Sequence, residues 1–381
     1  MSVRRGFDTV LAVAVLVLLV LGLIMVQSAS APVAADRYGD AWFYVERQAI
    51  GMTLGVGMLV AVALTPYEKL RKHAWVFYVA VVLGLVAVFI PGIGRSVNGA
   101  SRWINAGSMN LQPSEFAKVA VVVLMAHLLD KFKGRLHEPK VLGKVLAVPA
   151  VVMGLIYFEP DLGTTAIIGG VAGITVYLAG LRTRYVIGGL ISAPLVLVVA
   201  ILLEPYRIRR IQAYLDPFAD ASGSGYQVIQ SLLAFHSGGL VGRGLGESQA
   251  KHLFLPEPWT DFVASVMAEE LGLLGVLTLI GIYGVIVWRG MAIARAAPDL
   301  FGTLLASSLT AMIGMQAFFN LGVVMGVVPN KGLVLPFVSY GVSAVMGHLL
   351  CVGLLLNVSA NRAPVRTPAI YRAAAAAEAL V

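Results

Sequence analysis

Long apolar runs recur along the whole chain, near 9–27, 48–65, 74–90, 114–130, 143–158, 164–180, 185–203, 261–288, 300–326 and 335–357. Most approach the roughly 20 residues that an α-helix needs to span the hydrocarbon core of a bilayer. Inside that core no water is present to bond the backbone, so only helices and closed barrels satisfy it. The runs lack the two-residue alternation of a barrel strand. The expected fold is therefore an all-α integral membrane protein, a bundle of ten transmembrane helices. Composition agrees: 59% of the 381 residues are hydrophobic and only 13% are charged, too few to coat a soluble domain. The lone cysteine, Cys351, excludes an intrachain disulfide. Arg4 and Arg5 ahead of the first run, with Ser28-Ala29-Ser30-Ala31 behind it, resemble a signal peptide. The run from Thr9 to Val26 is longer than the ~7–15 residues of a signal core, so it reads as a retained first helix.

Orientation follows from where lysine and arginine sit in short loops. Most of the 28 basic residues gather on one side: Arg4 and Arg5; Lys69, Arg71 and Lys72; Lys131 to Lys144; Arg182 and Arg184; Arg289 and Arg295; and Arg362, Arg366 and Arg372. That side is read as the cytoplasm, with both termini on it. The net charge of +8 is then largely topology signal, and a nucleic-acid partner is excluded. Residues 1–360 read as a single polytopic domain and 361–381 as a cytoplasmic tail. Two long polar segments fall on the external side, 91–113 and 204–260, the latter between helices 7 and 8. Within the second, Tyr226–Phe235 has helical spacing, with Val228, Leu232 and Phe235 on one face, and is expected to lie in the interface plane. No nucleotide-binding glycine loop is present, so an ATP-driven pump is not expected.

Several polar residues stand where hydrocarbon is expected. Glu115 and Lys118 are three apart, so they share a helix face and should pair. The pair is either an architectural lock or a cationic contact for an anionic substrate. Asp261 opens the eighth span, where it is either a helix cap or an acid poised between water and lipid. Glu269 and Glu270 follow deeper in that span, Glu269 on the Asp261 face, and read as helix–helix contacts. In Pro329–Gly341 two prolines and two further glycines interrupt helix at membrane depth, which is tolerated only against protein or water. That segment bears Lys331, Ser339 and Tyr340. The dispersed His127, His236, His252 and His348 show no ligand spacing.

Taken in order, the stretches Val97-Asn-Gly-Ala-Ser-Arg-Trp-Ile104, Leu111-Gln-Pro-Ser-Glu-Phe-Ala-Lys118, Glu159-Pro-Asp-Leu-Gly-Thr164, Ser237-Gly-Gly-Leu-Val-Gly-Arg-Gly-Leu-Gly246, Leu255-Pro-Glu-Pro-Trp-Thr-Asp-Phe262 with Glu269-Glu-Leu-Gly272, and Lys331–Gly341 resemble the SEDS family of shape, elongation, division and sporulation proteins, which includes RodA and FtsW. The spacing from Gly242 to Lys251 looks more like the FtsW-type division branch. The chain departs from the family pattern at Trp259, often His; Asn330, commonly Thr; Glu159, Gln; and Val342, a second Gly.

The resemblance implies a peptidoglycan glycosyltransferase that polymerises lipid II at the outer face of the bacterial inner membrane. It implies a partner, a class B penicillin-binding transpeptidase, and other divisome or elongasome proteins. The family's catalytic acid falls on Asp261, its ion pair on Glu115 and Lys118, and its external Arg-Trp on Arg102 and Trp103. A diphosphate leaving group is already anionic, so one general base suffices. Arg102, Lys118, Arg210, Lys251 and Lys331 are candidates to offset its charge, with Ser339 beside Lys331. A divalent cation, Mg2+ or Mn2+, is the one cofactor this chemistry admits, and no organic cofactor is expected. Ten spans and a broken helix also fit a lipid-linked precursor flippase or carrier, and a non-enzymatic scaffold for a transpeptidase is a further rival.

Overall fold

The computed structural model describes residues 6–97, 100–107, 109–202, 205–223, 225–251, 255–330 and 332–361. Arg4, Arg5, Lys331, His252 and the expected C-terminal tail from residue 362 onward lie outside the described residues. Helices dominate: α1 (Thr9–Tyr38), α2 (Phe43–Leu64), α3 (Tyr67–Lys72), α4 (Ala74–Ala87), α5 (Pro113–Lys131), α6 (Pro139–Phe158), α7 (Leu162–Leu178), α8 (Thr183–Leu202), α9 (Pro205–Leu215), α10 (Tyr226–Gly238), α11 (Val263–Arg295), α12 (Leu300–Val324) and α13 (Val342–Ala360). Each span expected from the sequence falls on one of them. Six (α1, α2, α6, α11, α12 and α13) are long and apolar enough on their own to cross a bilayer, and the protein is a multi-pass helical membrane protein. Helix α1 runs straight through the cleavage-like Ser28–Ala31 and ends at Gly39, whose φ of 71° supplies the left-handed cap.

Local chemistry sets where the helices begin. Asp8, Asp161 and Asp299 accept from the backbone N–H of Leu11, Thr164 and Gly302, satisfying donors that a first turn leaves free. Pro113 opens α5, where its missing N–H costs nothing. Small residues then let helices approach. Gly51 and Gly55, one turn apart on α2, meet the backbone and side chains of Val342, Met346 and Leu349 on α13, the close small-residue packing that substitutes for a hydrophobic drive in lipid.

Two features were not expected. First, the loop 91–113 folds as a three-stranded antiparallel sheet, β1 (Gly94–Val97), β2 (Ala100–Ala106) and β3 (Met109–Leu111), pairing Arg95 with Trp103. The side of the molecule that carries it is called the sheet face below. Second, α10 packs through a different face from the one expected. It runs alongside the first turns of α11, with Ser231 Oγ 2.7 Å from Ser265 Oγ and the Ser231 hydroxyl donating to the Val324 carbonyl. Its buried residues are Val228, Ser231, Ala234 and Gly238, while Leu232 is 40% exposed. Residue size misled the sequence reading: small side chains, not large apolar ones, admit the neighbouring helix.

The loop after α10 explains why. Helix α11 is broken at Gly272, with φ 67° and ψ −168°, and the glycine-rich stretch 239–244 enters that break. The N–H groups of Arg243 and Gly244 donate to the carbonyls of Glu269 and Glu270, and those of Leu273 and Leu274 donate to Gly239 and Leu240. Four of the backbone groups freed by the break are thus bonded by the inserted loop, as hydrocarbon requires. A Cβ on Gly272 would sit 2.4 Å from Gly242 N, so both approach and dihedral demand glycine.

Candidate active site

A cavity of about 690 Å³ lies on the sheet face, lined among others by Arg47 of α2, Arg95, Arg102 and Trp103 of the sheet, Glu115 of α5, Asp161 ahead of α7, Asp261 ahead of α11, Gln316 of α12 and Leu333–Ala344 in part. Strand pairing and three helix starts therefore aim charge into one space. An aromatic wall closes one side: Tyr38 stacks on Phe43 at 3.7 Å between ring centroids, and Tyr44 meets Trp259 at 4.6 Å and Tyr340 at 5.1 Å.

Asp261 does not cap a helix. Helix α11 begins at Val263 without a side-chain cap, which removes the cap reading. Its carboxylate accepts from the Thr260 hydroxyl at 3.0 Å, and that hydroxyl also reaches the Glu257 carbonyl at 2.8 Å. Gly332 approaches closely enough that a Cβ there would lie 3.7 Å from Asp261 Oδ2. Burial pushes the Asp261 carboxyl above the usual carboxylate range, against opposing pulls from the Thr260 hydrogen bond and the Arg210 charge. A raised, weakly bonded acid is suited to accept a proton.

The ion pair forms as expected. Lys118 Nζ lies 2.8 Å from Glu115 Oε2, with both side chains buried, and also donates to Gln316 Oε1 at 2.9 Å. Glu115 reaches the cavity and Lys118 stands behind it. Arg102 is held by main-chain carbonyls, donating from Nε to Glu159 at 2.9 Å and from Nη2 to Pro160 at 2.6 Å. The Glu159 side chain beneath it is fully buried, and neither carboxylate oxygen has a hydrogen-bond partner among the described residues. Burial, with Asp161 adding to it and Arg102 opposing, raises that carboxyl to about 8.

Other expected residues are placed elsewhere. Lys251 is buried against Glu270 at 3.3 Å and near Ser28, behind α11, so it does not reach the cavity. The loop that carries it folds back along α11, which spacing alone does not reveal. Glu269, expected on the Asp261 face, is instead bound by Ser237, Ser248, the Ala250 N–H and Arg243; the break and the returning loop claim it. Ser339 accepts from the Leu335 N–H through Oγ and supports the broken segment from within. Arg210 donates to the Asn330 carbonyl at 3.0 Å and acts on Asp261 through charge.

Arg47, Gln48, Gln316 and the cavity-lining Arg95 were missed. Arg47 contributes a third guanidinium to the cavity, stacked 3.4 Å over the Phe43 ring. Gln48, one residue on, clamps the broken segment by donating to the Ser339 carbonyl and accepting from the Gly341 N–H. Gln316 bonds the Val334 carbonyl. Amides inside apolar runs were the available signal.

Helices that span a membrane, a broken segment beside an acid that caps no helix, and a charged cavity on one face define a polytopic helical membrane protein. The comparisons narrow the class. The profile described as Cell cycle protein, covering FtsW, RodA and SpoVE, matches residues 9–363, and the chain belongs to that family, as its motifs implied. It is 40% identical over 354 residues to the probable peptidoglycan glycosyltransferase FtsW of Geobacter metallireducens, covering 93% of this chain and 94% of that one. It is also 40% identical to stage V sporulation protein E of Bacillus subtilis, covering 92% and 96%. Among solved structures it is similar to a chain of a peptidoglycan synthase complex that coordinates polymerization and crosslinking (TM-score 0.77, 31% identity, 93% and 97% coverage). It is similar as well to the rod shape determining protein RodA of Thermus thermophilus (TM-score 0.70, 28% identity, 94% and 98%).

Proposed function

We propose that the chain is a peptidoglycan glycosyltransferase that polymerises lipid II at the outer face of the bacterial inner membrane, with both termini in the cytoplasm. The observation that carries this is Asp261: an acid that caps no helix, with a raised carboxyl, on one cavity with Arg47, Arg95 and Arg102. Asp261 takes the proton from the acceptor sugar's hydroxyl as that oxygen attacks the anomeric carbon of the donor. The bond from that carbon to the diphosphate oxygen breaks, and undecaprenyl diphosphate departs with the electron pair, inverting the centre. The leaving group needs no protonation. Charge growing on it meets the guanidinium groups, which are fixed before reaction by carbonyls and an aromatic ring. The aromatic wall offers faces on which sugar rings stack.

The described residues do not form a protein cage for a divalent cation: no three carboxylates, histidines or cysteines converge at ligand spacing among them, and no step above runs through one. The similarity to a synthase complex that joins polymerization to crosslinking supports a class B penicillin-binding transpeptidase as partner. The test is polymerisation of lipid II by the purified protein with that partner in detergent. Wild-type protein yields glycan strands and Asp261→Asn yields none; strands from Asp261→Asn remove Asp261 as the base, and no strands from the wild-type protein, with lipid II crossing vesicles instead, establish a carrier.

A further inference from the structure

Gln316 and Asn320 lie one turn apart on the buried face of α12, and together they touch the main chain of Asp261 and of the broken segment opposite it. Asn320 Nδ2 donates to the carbonyl of Asp261 at 2.8 Å and to that of Leu333 at 2.5 Å. Gln316 Nε2 donates to the next carbonyl, Val334, at 3.1 Å, while its Oε1 accepts from Lys118 Nζ. One helix face therefore grips the loop carrying the acid, the broken segment opposite it and the buried ion pair.

The orientation of the Asn320 amide is fixed by its partners. Two carbonyls require a donor, and only Nδ2 supplies one. Oδ1 is consequently buried without a hydrogen-bond partner among the described residues, a state that calls for an explanation. Asn357 of α13 provides the contrast. It donates to the carbonyls of Val62, Ala63 and Thr65 and accepts from Asn361 through Oδ1, far along the helix from the cavity. Asn357 ties helices together with both side-chain polar atoms bonded; Asn320 instead holds the acid's own backbone.

We infer that Asn320 is a positioning residue for the transfer reaction: it fixes the main chain of Asp261 against Leu333 so that the carboxylate meets the acceptor hydroxyl in register. Gln316 extends the same grip to Val334 and the ion pair. This rests on the reading of Asp261 as the base. Arg210 and Glu257 also act on the Asp261 carboxyl, and both side chains are retained in the Asn320 variants, so a shift in its titration reports a change in how the carboxyl is held.

The experiment measures lipid II polymerisation by the purified complex across pH for Asn320→Ala, the milder Asn320→Ser, Asn357→Ala and Asp261→Asn, each with its thermal melt. Asn320→Ala is expected to lower kcat about 30-fold, the scale of a sub-ångström misplacement, with KM changed less than about threefold. Its acid limb moves to lower pH as the loosened carboxylate gains water. Asn320→Ser keeps a donor for one carbonyl and recovers part of kcat. Asn357→Ala lowers the melting temperature and leaves kcat of the folded fraction and the acid limb in place. Wild-type kcat with an unmoved limb in Asn320→Ala overturns the inference, as does an equal loss and shift in Asn357→Ala. Should Asn320→Ala fail to fold, wild-type kcat and limb in Asn320→Ser overturn it. Full activity of Asp261→Asn removes the functional reading itself; an inactive Asp261→Asn beside wild-type-like Asn320 variants removes this inference alone.

Discussion

Asp261 stands two residues ahead of α11 and accepts from the Thr260 hydroxyl, whereas Glu269, two turns into the same helix, accepts from Ser237, Ser248 and Ala250 and meets Arg243. Two carboxylates close in sequence thus receive opposite treatment. The deeper one is enclosed by partners because the break at Gly272 and the loop that fills it must be held at membrane depth, where a stray charge costs several kcal/mol. The shallower one is left open on a cavity lined by guanidinium groups. On the proposed reading, architectural charge is satisfied by protein, and reactive charge is kept available for the substrate.

Lys118→Ala tests the architectural side most severely. It leaves Glu115 buried without its cation and is expected to cost about 3–5 kcal/mol, read as a large fall in melting temperature. Unchanged stability with lost polymerisation would move the pair to the reactive side. Gly272→Ala comes next. It forces a Cβ against Gly242 N and Leu240 O at a positive φ, a loss of about 1–3 kcal/mol, measured by thermal melt; a neutral result would show that the break is not held by the inserted loop.

Glu159→Gln is expected to act in the opposite direction, as a gain in stability, and it depends on pH. The Glu159 carboxyl is raised in the folded protein from 4.5 to about 8, so the folded state keeps a proton that the unfolded state releases. Wild-type stability therefore declines as pH rises from 4.5 to about 8 and is flat above. Glutamine mimics the protonated form, so the advantage of Glu159→Gln in melting temperature should grow across that window, to about 2–4 °C per kcal/mol gained. A constant difference from pH 5 to 8.5 would mean that the buried carboxyl does not titrate there.

The spans, the Glu115–Lys118 pair and Asp261 were legible in the sequence because hydrocarbon makes apolar length and stray charge conspicuous. The packed face of α10 was not, since apart from Val228 its buried residues are Ser231, Ala234 and Gly238, which carry little hydrophobic signature. Nor was the break in α11, where Leu271-Gly-Leu-Leu-Gly275 reads as continuous apolar helix. Lys251 looked like a free external cation because nothing local shows that its loop folds back to Glu270. Gln48, Gln316 and Asn320 escaped because an uncharged amide in an apolar run draws little notice, although the i, i+4 spacing of the last two already placed them on one face.

The central claim is that α11 separates a reactive acid from architectural ones, and a paired measurement on Asp261→Asn and Glu269→Gln tests it most directly. With each purified beside its transpeptidase partner and given lipid II, melting temperature and turnover per folded molecule are recorded together. The account predicts wild-type melting with no glycan strands for Asp261→Asn, and a lowered melting temperature with turnover within about threefold of wild type for Glu269→Gln. Glycan strands from Asp261→Asn, or full stability with abolished turnover in Glu269→Gln, would contradict it.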